Sequence, residues 1–238
     1  MSCGQVGASE LLSSVRERVV RWALEHRFDY PWRVERTPYR VLLAEFLLRR
    51  TTRTAVARAF QALVERFPDV ESLHRAPLEE VEEALRPLGL YRVRARQLKE
   101  LASVIVEEYG GRIPDSWEEL VRLTGVGPYT AGALLSFAHG KPAPVVDGNV
   151  ARVLARLTGH AARRWGDYLA LLRRLLPEDR HQEFNYGLID LGALVCRPRN
   201  PRCWECPLRD LCAHYQRASG EEACARRLEE AYAEALRP

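Results

Sequence analysis

The stretch LTGVGPYTAGALLSF, residues 123–137, carries the clearest structural signal in the chain. Its pattern predicts a first helix that ends at Gly125 and a second helix that begins by Thr130. Gly125 and Gly127 allow positive φ angles and close backbone approach, with Val126 turned inward between them. The free amide groups of such a turn, supported by the positive end of the second helix, can hold a phosphate. A glycine-capped helix–turn–helix without a ligand fits the same pattern equally well.

Helical periodicity extends outward from this stretch over nearly the whole chain, and sustained period-two alternation is almost absent. The sequence therefore predicts an all-α protein. Prolines separate the predicted helices, and two of them interrupt the pattern near residues 141–144, where we place a domain boundary. The predicted helices cover roughly residues 10–28, 38–50, 53–66, 77–86, 92–109, 116–124, 129–139, 148–158, 166–176, 181–195 and 220–235.

Composition narrows the class of protein without fixing its function. The chain has 238 residues, of which 47% are hydrophobic, and a net charge of +4, which permits a nucleic-acid partner without requiring one. The basic residues are nearly all arginine, since Lys99 and Lys141 are the only lysines. No apolar run is long enough to span a bilayer, and the opening MSCGQVGASE does not look like a signal segment. We therefore expect a cytoplasmic protein with no membrane partner.

Four cysteines lie in the run CRPRNPRCWECPLRDLC, separated by six, two and five residues. Disulfide pairing fits this run poorly, because nothing in the sequence indicates an oxidising compartment. The spacing favours a [4Fe-4S] cluster and leaves zinc as the alternative, because zinc usually takes two close Cys-x-x-Cys pairs. The four predicted ligands are Cys196, Cys203, Cys206 and Cys212. Cys3 and Cys224 lie outside the run, and we expect them to be ordinary thiols.

Two carboxylates have unusual surroundings. Asp147, in PVVDGNVARVLAR, precedes a predicted helix and has the place of an N-cap. The same place would keep it ionised and oriented to stabilise a developing positive charge, with Asn149 able to orient it or a water. Glu45 lies inside VLLAEFLLRR with Arg49 four residues later, which is typical of an exposed ion pair. The apolar residues around Glu45 would instead favour a neutral carboxyl that acts as a general acid.

Together, in this order and spacing, these motifs resemble those of the helix-hairpin-helix DNA glycosylases of the endonuclease III superfamily. The resemblance rests on GVGPYT, VVDGNV and the cysteine spacing, with support from PWR, TPY and FNYGLIDLG, and it covers roughly residues 10–215. It implies two α-helical lobes with DNA across the cleft and a target base that leaves the stack. Residues 30–143 would form a helical barrel domain with the hairpin, and residues 1–29 plus 144–238 the domain with the [4Fe-4S] cluster.

The resemblance also implies roles for individual residues. Asp147 would stabilise the sugar cation or activate water, Glu45 would protonate the leaving base or order a water, Tyr129 would line the pocket, and Asn149 would hold Asp147. Arg49 is the candidate wedge, with Leu90 or Tyr91 entering from the opposite side of the duplex. The expected DNA contacts as a whole are Gly125, Val126, Gly127, Thr130, Arg49, Arg50, Leu90, Tyr91, Arg197, Arg199 and Arg202. Simple phosphate contacts by the arginines, and a core position for Tyr91, are the alternatives.

Departures from the family pattern indicate which branch of the family this chain resembles. Bifunctional members place a lysine where this chain has Tyr129, so the resemblance implies base removal without efficient strand cleavage. LLRRTT at residues 47–52 resembles the thymine–DNA mismatch glycosylases, whereas adenine glycosylases usually carry paired glutamines in place of Arg49 and Arg50. The DGNV signature and the tyrosine are shared with the adenine enzymes. These usually have a second C-terminal domain, for which we expect no room in the 26 residues after Cys212.

We therefore predict a monomeric, nucleoid-associated enzyme that acts on double-stranded DNA with a mismatched or damaged base and removes thymine or uracil opposite guanine. The alternatives are an adenine glycosylase that acts opposite guanine or 8-oxoguanine, and a non-catalytic iron–sulfur protein that only binds DNA.

Overall fold

The computed structural model describes residues 7–162 and 164–236, and these residues form helices and connecting segments without a strand. The all-α prediction is confirmed. No helix among these residues is both long and apolar enough to cross a membrane. The α-helices are Ala8–Glu25, Pro31–Val34, Pro38–Leu47, Arg53–Arg66, Val70–Arg75, Leu78–Leu85, Tyr91–Tyr109, Trp117–Leu120, Pro128–Ala133, Gly148–Thr158, Trp165–Leu175, His181–Leu194, Ala213–Ala218 and Glu222–Ala235. Single 3₁₀ turns lie at Arg86–Leu88, Cys203–Glu205 and Arg209–Leu211, and a π turn lies at Leu134–Ala138.

The chain divides into two compact units. One unit is Phe28–Lys141, and the other joins Met1–Arg27 to Pro142–Pro238. The sequence placed these borders two residues later, at residues 30 and 143. We call the first the hairpin unit and the second the cysteine unit, after the motifs they contain.

The core of the hairpin unit is the helix Pro38–Leu47. Thr37 caps it by accepting a hydrogen bond from the Arg40 amide at 3.3 Å, and Pro38 occupies its first turn. Every residue from Val41 to Leu47 is buried, because neighbouring helices of the same unit pack around it. Glu45 is therefore only 7% exposed, and its interpretation as half of an exposed ion pair is wrong.

Three short helices were not predicted, namely Pro31–Val34, Val70–Arg75 and Ala213–Ala218. Each is shorter than two turns, so a periodic apolar pattern cannot develop within it. A local signal nevertheless marks Val70–Arg75. The Asp69 carboxylate accepts from the Ser72 amide at 2.7 Å, and the Ser72 hydroxyl oxygen accepts from the Asp69 amide at 3.1 Å, which is a reciprocal capping box.

In the cysteine unit, the helix Ala8–Glu25 packs against His181–Leu194 and Glu222–Ala235. A Cβ atom at Gly187 would lie 2.8 Å from Val19 Cγ1 and 3.0 Å from the Val19 carbonyl oxygen, so glycine is what lets two of these helices approach. Cys224 is disulfide-bonded, so the expectation that it is an ordinary thiol is wrong. Cys3 lies outside the described residues.

Replacing Tyr39 by phenylalanine should destabilise the hairpin unit. The buried Tyr39 hydroxyl donates to the Phe67 carbonyl oxygen at 2.7 Å, and Tyr39→Phe removes the donor while the carbonyl stays buried. We expect a loss of about 1–2 kcal/mol in the free energy of unfolding. Thermal unfolding checks this, with Tyr109→Phe at a half-buried tyrosine of the same unit as the matched control. Equal midpoints for the two variants would contradict the prediction.

Candidate functional site

The hairpin turn has the conformation that its glycines predict, but its first helix is shorter than expected. Gly125 has φ +78°, and Val126 is buried with its amide donating to the Leu123 carbonyl oxygen at 2.9 Å. Gly127 then starts the helix Pro128–Ala133. The preceding helix ends at Leu120 rather than at Gly125, because residues 121–125 form successive turns. Since the Val126 side chain is buried, only the backbone of this residue can meet a ligand.

Arg49 is held against this turn. Its Nη2 atom donates to the Gly125 carbonyl oxygen at 2.5 Å and to the Thr130 hydroxyl at 3.4 Å. Its guanidinium lies 4.7 Å from the centre of the Phe46 ring. Burial lowers the pKa of Arg49, while the charge of Glu45 acts in the opposite direction. Arg49 therefore joins the turn after the helix Pro38–Leu47 to the hairpin.

The candidate wedge Arg49 is less exposed than the residue that follows it. Arg50 is exposed and has φ +55°, whereas Arg49 is only partly exposed and faces the protein. Thr130, expected at the DNA, is 4% exposed, and its hydroxyl accepts from Arg49. Tyr129 is half-buried in the first turn of the hairpin's second helix. The unit thus brings Arg49 and the hairpin together and presents Arg50 to solvent.

A second exposed side chain lies at the start of the helix Tyr91–Tyr109. Leu90 is 62% exposed and holds φ +51°, a left-handed conformation that is unfavourable for leucine. Tyr91 is half-buried, with the guanidinium groups of Arg86 and Arg92 at 5.7 and 5.6 Å from its ring centre. Of the two alternatives for the second wedge, the structure therefore exposes Leu90.

In the cysteine unit, Asp147 is both the helix cap and the centre of a polar network. Its Oδ1 atom accepts from the Val150 amide at 2.7 Å, and its Oδ2 atom accepts from Asn149 Nδ2 at 3.0 Å. Arg152 Nη2 donates in turn to Asn149 Oδ1 at 2.8 Å, and Arg152 Nε donates to the Cys196 carbonyl oxygen at 2.8 Å. The two carboxylate oxygens thus have separate partners, and the network ends on the first cysteine of the run.

Two residues that the sequence reasoning did not assign fix the backbone around Asp147. Asn185 is fully buried; its Nδ2 atom donates to the Ala143 carbonyl oxygen at 2.9 Å, and its Oδ1 atom accepts from the Val145 amide at 3.3 Å. A Cβ atom at Gly192 would lie 2.8 Å from Asn149 Cβ, so glycine is required for the close approach of the two helices. Both lie in FNYGLIDLG, the segment that supports the family resemblance.

The four cysteines of the run are free and line one cavity. Burial, as the largest cause, raises the pKa of Cys206 to about 12 and that of Cys212 to about 11, with smaller contributions from the charges of neighbouring cysteines. Arg156 Nη1 lies 3.5 Å from Cys196 Sγ and donates to the Arg197 carbonyl oxygen at 2.8 Å. In the part of the chain that the structure describes, no three His, Cys, Asp or Glu side chains are grouped around a position for a single metal ion.

The arginines of the cysteine loop differ in orientation. Arg197 and Arg199 are exposed. Arg202 is half-buried, pairs with Glu205 at 3.3 Å and donates to the Leu194 carbonyl oxygen at 3.4 Å. Arg197 and Arg199 are therefore the members of the expected set that present charge to solvent.

Comparison with known proteins agrees with these features. Residues 43–177 match the family of HhH-GPD superfamily base excision DNA repair proteins, and residues 196–212 match the iron-sulfur binding domain of endonuclease III. The chain is 40% identical to a thymine-DNA glycosylase of Aeropyrum pernix over 86% of this chain and 95% of that protein. It is 36% identical to the human adenine DNA glycosylase over 90% of this chain and 42% of that protein. The structure of a thermostable thymine-DNA glycosylase superposes with a TM-score of 0.84, at 34% identity, over 88% of this chain and 98% of that one.

The cysteine run therefore binds a [4Fe-4S] cluster, and zinc is not retained as the alternative. The residues present fit the cluster, because four free thiols line a single cavity. Buried thiolates need a compensating positive charge, which the iron atoms of a cluster supply when bound. Cys196, Cys203, Cys206 and Cys212 would hold it.

Substitutions at Asp147 should show whether the helix needs a capping acceptor or a negative charge at this position. Asp147→Ala removes the acceptor of the Val150 amide and should lower the free energy of unfolding by about 1 kcal/mol. Asp147→Asn keeps a side-chain acceptor and should stay within a few tenths of a kcal/mol of the unsubstituted protein. Thermal unfolding of both variants checks this. If Asp147→Asn destabilised the protein as much as Asp147→Ala does, the charge rather than the cap would be what the helix needs.

Proposed function

Because this chain belongs to the HhH-GPD superfamily of base excision DNA repair proteins, we propose that it is a monofunctional DNA glycosylase that removes thymine or uracil opposite guanine. The observation that carries the choice of base is the guanidinium of Arg49, which donates to the Gly125 carbonyl oxygen and the Thr130 hydroxyl of the hairpin. A guanidinium has only N–H donors. Thymine and uracil offer two carbonyl oxygens to such donors, whereas adenine offers only ring nitrogens beside an exocyclic amine that is itself a donor.

The chemistry of base removal needs two different carboxyl groups. The bond between the base nitrogen and C1′ breaks, the base leaves with the electron pair and takes up a proton, and water adds to C1′ and releases a proton, so that no net proton is consumed. We propose that Asp147 stabilises the positive charge that grows on the sugar, since its oxygens are oriented by the Val150 amide and Asn149. Glu45 is buried among apolar residues, which suits a proton donor to the leaving base.

The proposal that the enzyme does not cleave the strand rests on its lysines. A lyase step needs an amine that attacks C1′, and Tyr129 stands where the bifunctional family members place lysine. Lys99 donates to the carbonyl oxygens of His74 and Ala76 and so terminates the helix Val70–Arg75. Lys141 pairs with Asp115 at 2.7 Å. Both ammonium groups thus already have hydrogen-bond or ion-pair partners within the hairpin unit.

An adenine glycosylase is the second candidate function, and two observations favour it. The human adenine DNA glycosylase matches 90% of this chain, and the DGNV signature at residues 147–150 is common to that class. A protein that only binds DNA is not retained, because a thymine-DNA glycosylase and two thymine/uracil-DNA glycosylases match most of this chain. We further propose that the enzyme is a nucleoid-associated cytoplasmic monomer that acts on double-stranded DNA, and that its cluster is structural.

A glycosylase assay on labelled duplexes tests the target base. The panel contains thymine or uracil opposite guanine, and adenine opposite guanine or 8-oxoguanine. We expect release of thymine and uracil, and in Asp147→Asn a fall of at least about 100-fold in the single-turnover rate, because oriented charge stabilisation is lost. Asp69→Asn, which makes the same change at the capping aspartate of the helix Val70–Arg75, is the matched control and should retain the full rate. Release of adenine alone would overturn the choice of base.

The lyase prediction is tested on the same duplexes with borohydride. We expect strand breaks only after alkali and no trapped covalent complex, because no amine is available at the sugar. A bifunctional endonuclease III serves as the positive control. A trapped complex that disappears in Lys99→Arg or Lys141→Arg would show that one of these lysines leaves its carbonyl or carboxylate partner and attacks the sugar.

A further inference from the structure

The side chain of Arg94 joins two turns of the hairpin unit that are distant in sequence. The first turn, residues 48–51, follows the helix Pro38–Leu47, and the second, residues 89–90, precedes the helix Tyr91–Tyr109. Arg94 is 5% exposed, and its guanidinium donates to both turns. The acceptors are the carbonyl oxygens of Gly89 at 3.1 Å, Phe46 at 3.4 Å, Leu47 at 3.0 Å and Arg49 at 2.6 Å, and the Thr51 hydroxyl at 2.6 Å.

Both turns contain a residue in an unfavourable backbone conformation. Only three non-glycine residues in the described part of the chain have positive φ, and Arg50 and Leu90 are two of them. Such conformations persist where surrounding contacts hold the backbone. Arg94 binds the carbonyl that precedes each of these residues, that of Arg49 and that of Gly89. The Arg94 side chain therefore holds the backbone from which the Arg50 and Leu90 side chains project.

The chemistry of this contact requires arginine. A guanidinium is planar and presents five N–H donors at fixed angles, so it can hold several carbonyls at once. Its positive charge also lies at the C-terminal end of the helix Pro38–Leu47, where the helix dipole favours a cation. A lysine at the same place would keep the charge but could not span both turns with fixed geometry.

We propose that Arg94 is a positioning residue that makes the two turns one rigid element, so that the Arg50 and Leu90 side chains enter the duplex together and keep the extruded nucleotide out of the stack. This inference rests on the proposed function, because it assumes that a base is extruded. It does not depend on which base is removed. Loss of the Arg94 hydrogen bonds should leave the contacts of the protein with DNA phosphates intact and weaken extrusion of the nucleotide.

The test uses DNA from which no base is released. A duplex carries an uncleavable abasic-site analogue with 2-aminopurine opposite, whose fluorescence rises when it is unstacked. At saturating protein we expect a clear rise with the unsubstituted protein and less than about half of that rise with Arg94→Lys, since small errors in positioning cost much of the effect. Affinity for an undamaged duplex should be equal for both proteins. A full rise with Arg94→Lys, or no rise with the unsubstituted protein, would overturn the proposal.

A double-mutant cycle separates positioning from general stability. If Arg94 acts through Leu90, then Leu90→Ala should reduce the fluorescence rise strongly in the unsubstituted protein and only slightly in Arg94→Lys. If the two substitutions instead reduce the fluorescence rise by independent factors, Arg94 only stabilises the fold. Should Arg94→Lys lose its helical signal, Thr51→Val, which removes one 2.6 Å contact, should show a smaller loss of the same kind. An unchanged rise in a folded Thr51→Val would then overturn the proposal.

Different results would refute the choice of target base and the role of Arg94. If the duplex panel shows adenine release, the choice of base is wrong, while the fluorescence of the abasic duplex still decides the role of Arg94. If thymine or uracil is released but Arg94→Lys gives the full fluorescence rise, the proposed function stands and the role of Arg94 is refuted.

Discussion

The constraint that shapes this protein is that many short helices leave many carbonyl oxygens without a partner at their C-terminal ends. Long basic side chains supply the missing donors. Arg16 donates to the carbonyls of Arg174 and Leu175, which end the helix Trp165–Leu175, and Lys99 does the same for Val70–Arg75. Arginine suits this use because its fork reaches two or more carbonyls and keeps its charge when buried. The large arginine content is thus partly an internal structural device.

The same contacts orient the groups that we assign to chemistry. Arg152 holds Asn149, which holds the Asp147 carboxylate, and it also binds the Gly192 and Cys196 carbonyls at 2.7 and 2.8 Å. The Cys196 carbonyl is therefore linked to the Asp147 carboxylate through three successive hydrogen bonds, so that a change in the cysteine loop would alter the carboxylate. Since a buried guanidinium that loses its acceptors is costly, each such arginine resists rearrangement of the backbone around it. Rigidity of this kind is what a catalytic carboxylate needs if it is not to reorganise during the reaction.

The chain is similar over most of its length both to a thymine-DNA glycosylase and to an adenine DNA glycosylase. In the hairpin unit, Arg49 donates to the Gly125 carbonyl oxygen, Tyr129 lies half-buried in the first turn of the hairpin's second helix, and Arg50 is exposed. One fold can serve more than one target base, because function depends on the side chains at the site rather than on the fold.

The sequence by itself determined the helical class, the tight turn at Gly125–Gly127, the cap at Asp147 and the cysteine run, because each depends on backbone preferences or spacing within a few residues. The tertiary structure alone decided that Glu45 is buried, that Arg49 faces the Gly125 carbonyl 76 residues away, and that Arg94 binds the Arg49 carbonyl 45 residues before it. An arginine in a helical pattern reads as exposed, because periodicity records which face is apolar but not which distant carbonyls lie within reach of a long side chain. Such pairings exist only after the helices have packed.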